Sequence, residues 1–61
     1  MNDLRLTLSP AEAANALGVS RDFFDAHVKP ELRVVRRGRL VLVPVREIEK
    51  WVAENSAAVL P

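Results

Sequence analysis

The chain has 61 residues, no cysteine, one histidine and a formal net charge of +1. This length allows one small domain with a thin core, and the composition excludes a disulfide scaffold and a thiolate metal site. No apolar run approaches the roughly 18 residues that cross a membrane, and the N-terminus lacks the features of a signal peptide. We therefore expect a cytoplasmic protein that contacts no membrane, with residues 1–61 forming one domain whose ends, 1–5 and 56–61, are flexible.

Two helices separated by a short turn are predicted in the first half of the chain. The alternating segment before them, residues 4–8, indicates either a short strand or an extended lead-in. Ser9 and Glu12 predict a helix start with a capping box, and Gly18 predicts its end in the left-handed conformation. Since only residues 18–20 join the two helices, they are expected to pack across a sharp turn, as in a helix-turn-helix.

The second helix is predicted to begin after an N-cap at Ser20 and to end at Lys29, because the residue before a proline avoids helical angles. Its inner face is expected to consist of Phe23, Phe24, His27 and Val28. Phe24 is the expected core residue, with Leu17, Val19 and Trp51 near it.

A β-hairpin and a third helix are predicted to follow. Residues 32–43 are rich in valine and arginine, and Gly38 near their middle predicts a hairpin that turns at Arg37-Gly38. Pro44 opens the last helix without a side-chain N-cap. Its apolar stripe consists of Val45, Ile48, Trp51 and Val52. The order helix, helix, hairpin, helix predicts a mainly α protein with a small β-hairpin, a winged helix-turn-helix.

Positive charge is concentrated in one short segment. Residues 33–46 contain five arginines and no acidic residue, a charge of +5, whereas residues 1–17, 18–32 and 47–61 sum to −1, −1 and −2. Arginine is suited to bidentate contacts with phosphate, and a cluster of one sign on one element is typical of nucleic-acid binding. The alternative is a solvated basic hairpin that only aids solubility.

Candidate contacts to double-stranded DNA lie on the second helix and on the hairpin. The start of that helix would enter the major groove, where an arginine can bind guanine, and the hairpin arginines would enter or straddle the minor groove. The helix candidates are Ser20, Arg21, Asp22 and Asp25, the hairpin candidates are Arg36, Arg37 and Arg39, and the further candidates are Arg33, Arg46 and His27.

Several of these residues have structural alternatives. Asp25, four residues after Arg21, would orient it, and His27 is expected to cover the edge of the core. Trp51 is expected to anchor the core and not to stack on a base. The remaining alternatives are helix capping for Ser20 and Asp22, and ion pairs with Glu31 or Glu49 for Arg33 and Arg46.

Three stretches together resemble one protein family. They are residues 6–21, ending in Leu17-Gly18-Val19-Ser20-Arg21, the hairpin Val34-Val35-Arg36-Arg37-Gly38-Arg39, and the closing stretch 44–52 with its tryptophan. With these motifs the chain resembles the excisionase-type DNA-binding proteins, or recombination directionality factors, of the MerR-like winged helix-turn-helix superfamily. The second helix of that family is often basic, whereas Asp22 and Asp25 stand here.

The resemblance implies an architectural protein of a phage or integrative element that bends attachment-site DNA and assists an integrase in excision. With no dimerisation helix expected, copies would associate with one another cooperatively on the DNA. A small MerR-like transcriptional regulator without an effector domain is the nearest alternative. A protein-interaction module or antitoxin is the more remote one, and the near-neutral second helix keeps it open.

Enzymatic function is not expected. The sequence contains no paired carboxylates suited to a pocket, no nucleophile with a base and no phosphate-binding glycine loop. We accordingly expect no catalytic residues, no metal, no cofactor and no small-molecule ligand.

Overall fold

The computed structural model describes residues 5–56. They form three helical segments and a three-stranded antiparallel sheet. The strands are β1 (Thr7–Leu8), β2 (Val35–Arg37) and β3 (Leu40–Pro44), and two of the helices are α1 (Pro10–Leu17) and α3 (Val45–Asn55). Between them α2 begins as an α-helix at Arg21–Phe23, continues as a π turn at Phe24–Val28 and ends in a 3-10 turn at Lys29–Glu31.

The order helix, helix, hairpin, helix is confirmed, and the architecture is mixed α/β. The strand order is β1-β3-β2, so the lead-in adds a strand to the expected hairpin. Residues 1–4 and 57–61, which make up most of the ends expected to be flexible, lie outside the described residues.

The start of α1 follows from its local sequence. The Ser9 hydroxyl accepts the Glu12 backbone N–H at 3.1 Å, and the Glu12 carboxylate accepts the Ser9 backbone N–H at 2.9 Å, which completes the predicted capping box. Arg5 Nη1 lies 2.6 Å from the same carboxylate. At the other end Gly18 adopts a φ of 76°, a left-handed conformation that glycine reaches without the strain of a Cβ.

The core joins all three helices to the central strand. Its members are Ala13 and Ala14 of α1, Phe24 and Val28 of α2, Val43 of β3 and Ile48 of α3. Phe24, Val28 and Val43 are fully buried, so the ring of Phe24 is the largest side chain in the centre. The partners expected for it, Leu17, Val19 and Trp51, are partly buried and pack against this cluster.

The inner face of α2 was predicted too broadly. Phe24 and Val28 are buried, but Phe23 is 44% exposed and His27 is exposed, so neither belongs to the core. The expected position of His27 at the core edge is therefore wrong. The physical reason is that Phe24 and Val28 already fill the space against α1 and β3, which leaves the neighbouring positions of the helix facing solvent.

The end of α2 was also predicted too early. Lys29 keeps helical angles, φ −56° and ψ −40°, although a proline follows, and the chain turns on as a 3-10 helix to Glu31. The steric preference of a residue before proline is modest. Here it is outweighed by the burial of Val28 and by the packing of Leu32 against the core on the far side of the proline.

The hairpin turns one residue later than predicted. Arg37 pairs with Leu40, so the two loop residues are Gly38 and Arg39 and not Arg37 and Gly38. Gly38 has a φ of 60°, and no other residue of the hairpin has a positive φ. This is the pattern of a type II′ turn, in which glycine takes the first loop position and the twist matches that of the strands.

Pro44 ends the pairing of β2 with β3. If the hairpin register continued, Arg33 would pair with Pro44. Hydrogen-bonded and non-hydrogen-bonded pairs alternate from the turn, and this pair falls at a hydrogen-bonded position. Such a pair needs a backbone N–H from each residue, and proline has none. The chain leaves the sheet there, and the Arg33 backbone N–H donates to the Glu47 carboxylate at 3.0 Å instead. On the other edge of β3 the Val45 N–H donates to the Leu6 carbonyl at 2.9 Å.

The third helix follows its predicted stripe except at one position. It begins without a side-chain cap, as expected, because Pro44 offers no acceptor. Ile48 is buried and Trp51 packs against the core, but Val52 is 43% exposed. One residue beyond Trp51 turns a helix by about 100°, which carries Val52 away from the core.

Removal of the Phe24 ring is expected to cost the domain most of its stability. Phe24→Ala should cost about 3–5 kcal/mol, because the cavity left by the ring cannot be filled in so small a core. The matched control is Phe23→Ala, which truncates an exposed ring on the same helix and should leave the melting temperature nearly unchanged. Thermal melts of both variants check this, and a melt of Phe24→Ala within a few degrees of wild type would contradict the proposed core.

Acid is expected to weaken the start of α1. The Ser9 backbone N–H and the Arg5 guanidinium hold the pKa of Glu12 below its ordinary value of 4.5. A carboxyl whose pKa is lower in the folded chain stabilises the fold above the unfolded pKa, and this contribution is lost as pH falls through the folded pKa. Glu12→Gln should lower the melting temperature at neutral pH, and the difference from wild type should shrink below about pH 4.5.

The control for this titration is Glu49→Gln, which changes an exposed carboxylate that has no hydrogen bond or ion pair among the described residues. A difference between wild type and Glu12→Gln that stays constant from neutral to acid pH would show that the capping carboxylate does not carry the effect.

Candidate nucleic-acid interface

The hairpin presents arginines on both of its faces. Arg36 and Arg37 are consecutive in β2, so their side chains leave opposite faces of the strand, and Arg39 lies in the loop between them and β3. All three are exposed. Within residues 5–56 the ion pairs of arginine and lysine involve only Arg5, Arg21 and Lys29, so the hairpin cations are held by no carboxylate there.

The first turn of α2 is fixed by capping. The Ser20 hydroxyl accepts the Phe23 backbone N–H at 3.0 Å, which confirms the N-cap expected of this serine. Asp22 lies exposed in the same turn, where its charge favours the positive end of the helix. The helix start is therefore rigid and exposed, as a groove-reading element needs to be.

The basic side chains of α2 share one acidic partner. Arg21 Nε lies 3.2 Å from the Asp25 carboxylate, as predicted from their spacing, and Lys29 Nζ approaches the same carboxylate at 3.9 Å. The Arg21 side chain is 51% exposed, and exposed pairs of this kind contribute about 0.2–1 kcal/mol. A bidentate contact to guanine contributes about 1–3 kcal/mol of discrimination, so this pair is easily exchanged for a base.

A second basic surface lies where β2 leaves the sheet. The gap opened at Pro44 is an open cleft of about 640 Å³. It is lined by Arg33, Val34, Val35, Pro44, Arg46, Glu47 and Lys50. Its carboxylate, Glu47, is engaged with the Arg33 backbone N–H, and the three cations around it are exposed. Ion pairs with Glu31 or Glu49 were the structural alternative for Arg33 and Arg46, and no such pair forms among the described residues.

Lys50 is the member of this cleft that the sequence did not single out. It lies four residues after Arg46, so both project from one face of α3, and this spacing was the available signal. Its nearness to Arg33 depends on the path of the chain around Pro44. The cleft and the hairpin therefore place six cations along the hairpin and its junction with α3, namely Arg33, Arg36, Arg37, Arg39, Arg46 and Lys50.

The tryptophan has the structural role that its stripe position predicted. Trp51 is partly buried against the core, and its indole N–H donates to the Glu31 carboxylate at 2.8 Å. This bond connects α3 to the end of α2. A ring held on both sides in this way is not free to stack on a base.

Metal-ligand clusters and membrane-spanning helices were also sought in the described part of the chain. Within residues 5–56 no cluster of histidine, aspartate and glutamate could hold a metal ion, and no helix there is long and apolar enough to cross a membrane.

Comparisons of the chain with protein-family models, curated proteins and solved structures found no match.

Proposed function

We propose that this chain is a DNA-binding protein with a winged helix-turn-helix, in which α2 enters the major groove and the β2–β3 hairpin is the wing. The observation that carries the proposal is the hairpin tip, where Arg36, Arg37 and Arg39 are exposed and held by no carboxylate of the described residues. Unpaired arginines on a narrow hairpin match the negative potential of a minor groove. The short turn between α1 and α2 and the capped start of α2 support the same arrangement.

The cleft at the base of the wing extends this surface. Arg33, Arg46 and Lys50 would bind backbone phosphates beside the groove that the wing occupies. If all six cations contact phosphate, log affinity should fall with log salt with a slope of about −5. Electrostatic contacts then supply most of the affinity, and α2 contributes selectivity.

Within DNA-binding proteins, we place the chain with architectural proteins of excisionase type that bend attachment-site DNA and assist an integrase. The support is its sequence motifs together with its single hairpin and single helix-turn-helix, because one wing and one helix cover little of a site and bind it weakly unless several copies assemble. Control of transcription by the same kind of binding is the nearest alternative. Footprints on the DNA beside an integrase gene, if one is encoded next to this chain, would separate the two.

A protein-interaction module is the second candidate, and one observation favours it. Asp25 holds both Arg21 and Lys29, and with Asp22 and Glu31 also present α2 carries no net positive charge. A module of this kind would leave a DNA column at low salt, whereas the proposed DNA-binding protein would stay bound and elute as salt rises.

Removal of the wing arginines is expected to flatten the salt dependence of DNA binding. Replacing Arg36, Arg37 and Arg39 by alanine should weaken binding to all sequences and reduce the slope of log affinity against log salt by about 0.9 for each phosphate that the variant no longer neutralises. The matched control replaces the same three residues by lysine, which keeps the charge and should keep the slope. An unchanged slope in the alanine variant would show that the hairpin does not touch the DNA backbone.

Binding is expected to be cooperative on direct repeats. No helix of the described residues exceeds 11 residues, which is too short for a coiled-coil dimer, so we expect the free protein to sediment as a monomer. Copies in one orientation make contacts that do not close, and such contacts extend along the DNA and bend it. Sedimentation without DNA, and footprinting on direct against inverted repeats, check this; a tight free dimer that prefers inverted repeats would overturn it.

A further inference from the structure

An aromatic pair lies on the exposed side of α2. The ring centroids of Phe23 and His27 are 4.8 Å apart, with their planes inclined by 46°. Phe23 is 44% exposed, while Phe24 next to it is fully buried. Ala26, also exposed, lies beside the pair on the helix and is too small to cover the ring. The helix thus presents one large apolar surface to solvent.

The Phe23 ring has a fixed backbone and one aromatic neighbour. Its backbone N–H donates to the Ser20 hydroxyl, which places it in the capped first turn. Side chains on a helix lean toward its N-terminus, so His27 contacts Phe23 from the following turn. A ring with such a neighbour has less conformational freedom to lose on binding than a ring without one.

The charges around the ring favour base edges over phosphates. Asp22 precedes Phe23, and Asp25 follows it by two positions and is the partner of Arg21 and Lys29, so the surroundings of the ring carry no net positive charge that would attract the phosphate backbone. In the major groove the apolar feature is the methyl group at C5 of a pyrimidine, which thymine carries and cytosine lacks unless it is methylated. An exposed phenylalanine in the first turn of a groove-reading helix has the chemistry to contact that group.

We propose that Phe23, supported by His27, contacts a pyrimidine 5-methyl group in the major groove and so contributes base selectivity. This rests on the proposed DNA-binding function and assigns a role to a residue that the sequence pattern had placed in the core. The bound group comes either from thymine or from 5-methylcytosine, since the ring contacts the methyl and not the rest of the base.

The test compares DNA that differs only in this methyl group. Wild-type protein first enriches duplexes with a randomised centre, and the enriched pool is then amplified with dTTP, with dUTP, or with dUTP and 5-methyl-dCTP. The hydrogen-bonding groups of the minor groove are the same in all three pools, and any effect of the methyl group on groove width acts equally on wild type and Phe23→Ala. Affinities for each pool are measured by fluorescence anisotropy with wild type, Phe23→Ala and Phe23→Leu, and with Val52→Ala as a control at an exposed apolar residue of α3 that lies outside the proposed interface.

The wild type and Val52→Ala should bind one methylated pool more tightly than the dUTP pool, by about fourfold for each methyl contacted. Preference for the dTTP pool identifies thymine, and preference confined to the 5-methyl-dCTP pool identifies 5-methylcytosine. Phe23→Ala should bind all three pools equally with an unchanged melting temperature, and Phe23→Leu should keep part of the preference.

Two results would overturn the inference while leaving DNA binding intact: a methyl preference that survives in Phe23→Ala, or a wild type without any preference. If Phe23→Ala instead changes only the sedimentation of the free protein, the pair is a contact between copies and the inference also fails. A wild type that enriches no duplex at all overturns the proposed function itself.

Discussion

Burial of Phe24 is the contact that holds the elements in their relative positions. The ring is the largest fully buried side chain of a cluster that also contains the alanines of α1, Val43 of the central strand and Ile48 of α3. A domain of this length buries a smaller fraction of its surface than a larger one, so each buried side chain supplies a larger part of the stability. The relative positions of α2 and the hairpin, and with them the spacing of the candidate groove-reading surfaces, therefore depend on this small cluster.

The parts of the fold that the sequence predicted well are those with local signals. The bounds of α1 follow from Ser9, Glu12 and Gly18, because capping bonds and a left-handed turn involve residues next to one another in the chain. The end of α2 depended on a competition between the steric preference of Lys29 and the burial of residues on either side of it. Only the folded core decides that competition, so no local pattern could have predicted it.

In the candidate site, too, local sequence signals predicted some residues correctly and missed those whose positions depend on the folded structure. The exposed arginines of the hairpin were predicted from composition, because a run of cations in a two-stranded ribbon has nowhere to be buried. Phe23 was placed in the core because helical spacing does not distinguish two adjacent phenylalanines, and the π turn that begins at Phe24 has no signature in the sequence. Lys50 lies in the site only because a cleft opens at Pro44, where the missing N–H ends the pairing of two strands. Strand pairing joins residues that are distant in the sequence, so no local pattern around Lys50 indicated it.

The staggered pairing of β3 has a mechanical consequence. Its first residues pair only with β2 and its last residues only with β1, so the hairpin projects from the rest of the domain and is attached at its base alone. The base is attached through the hydrogen bond from the Arg33 backbone N–H to the Glu47 carboxylate and through the packing of Val34 against the core. A tilt at this junction would move the arginine tip relative to the three helices, and in the proposed complex it would let the wing adjust to the width of a minor groove.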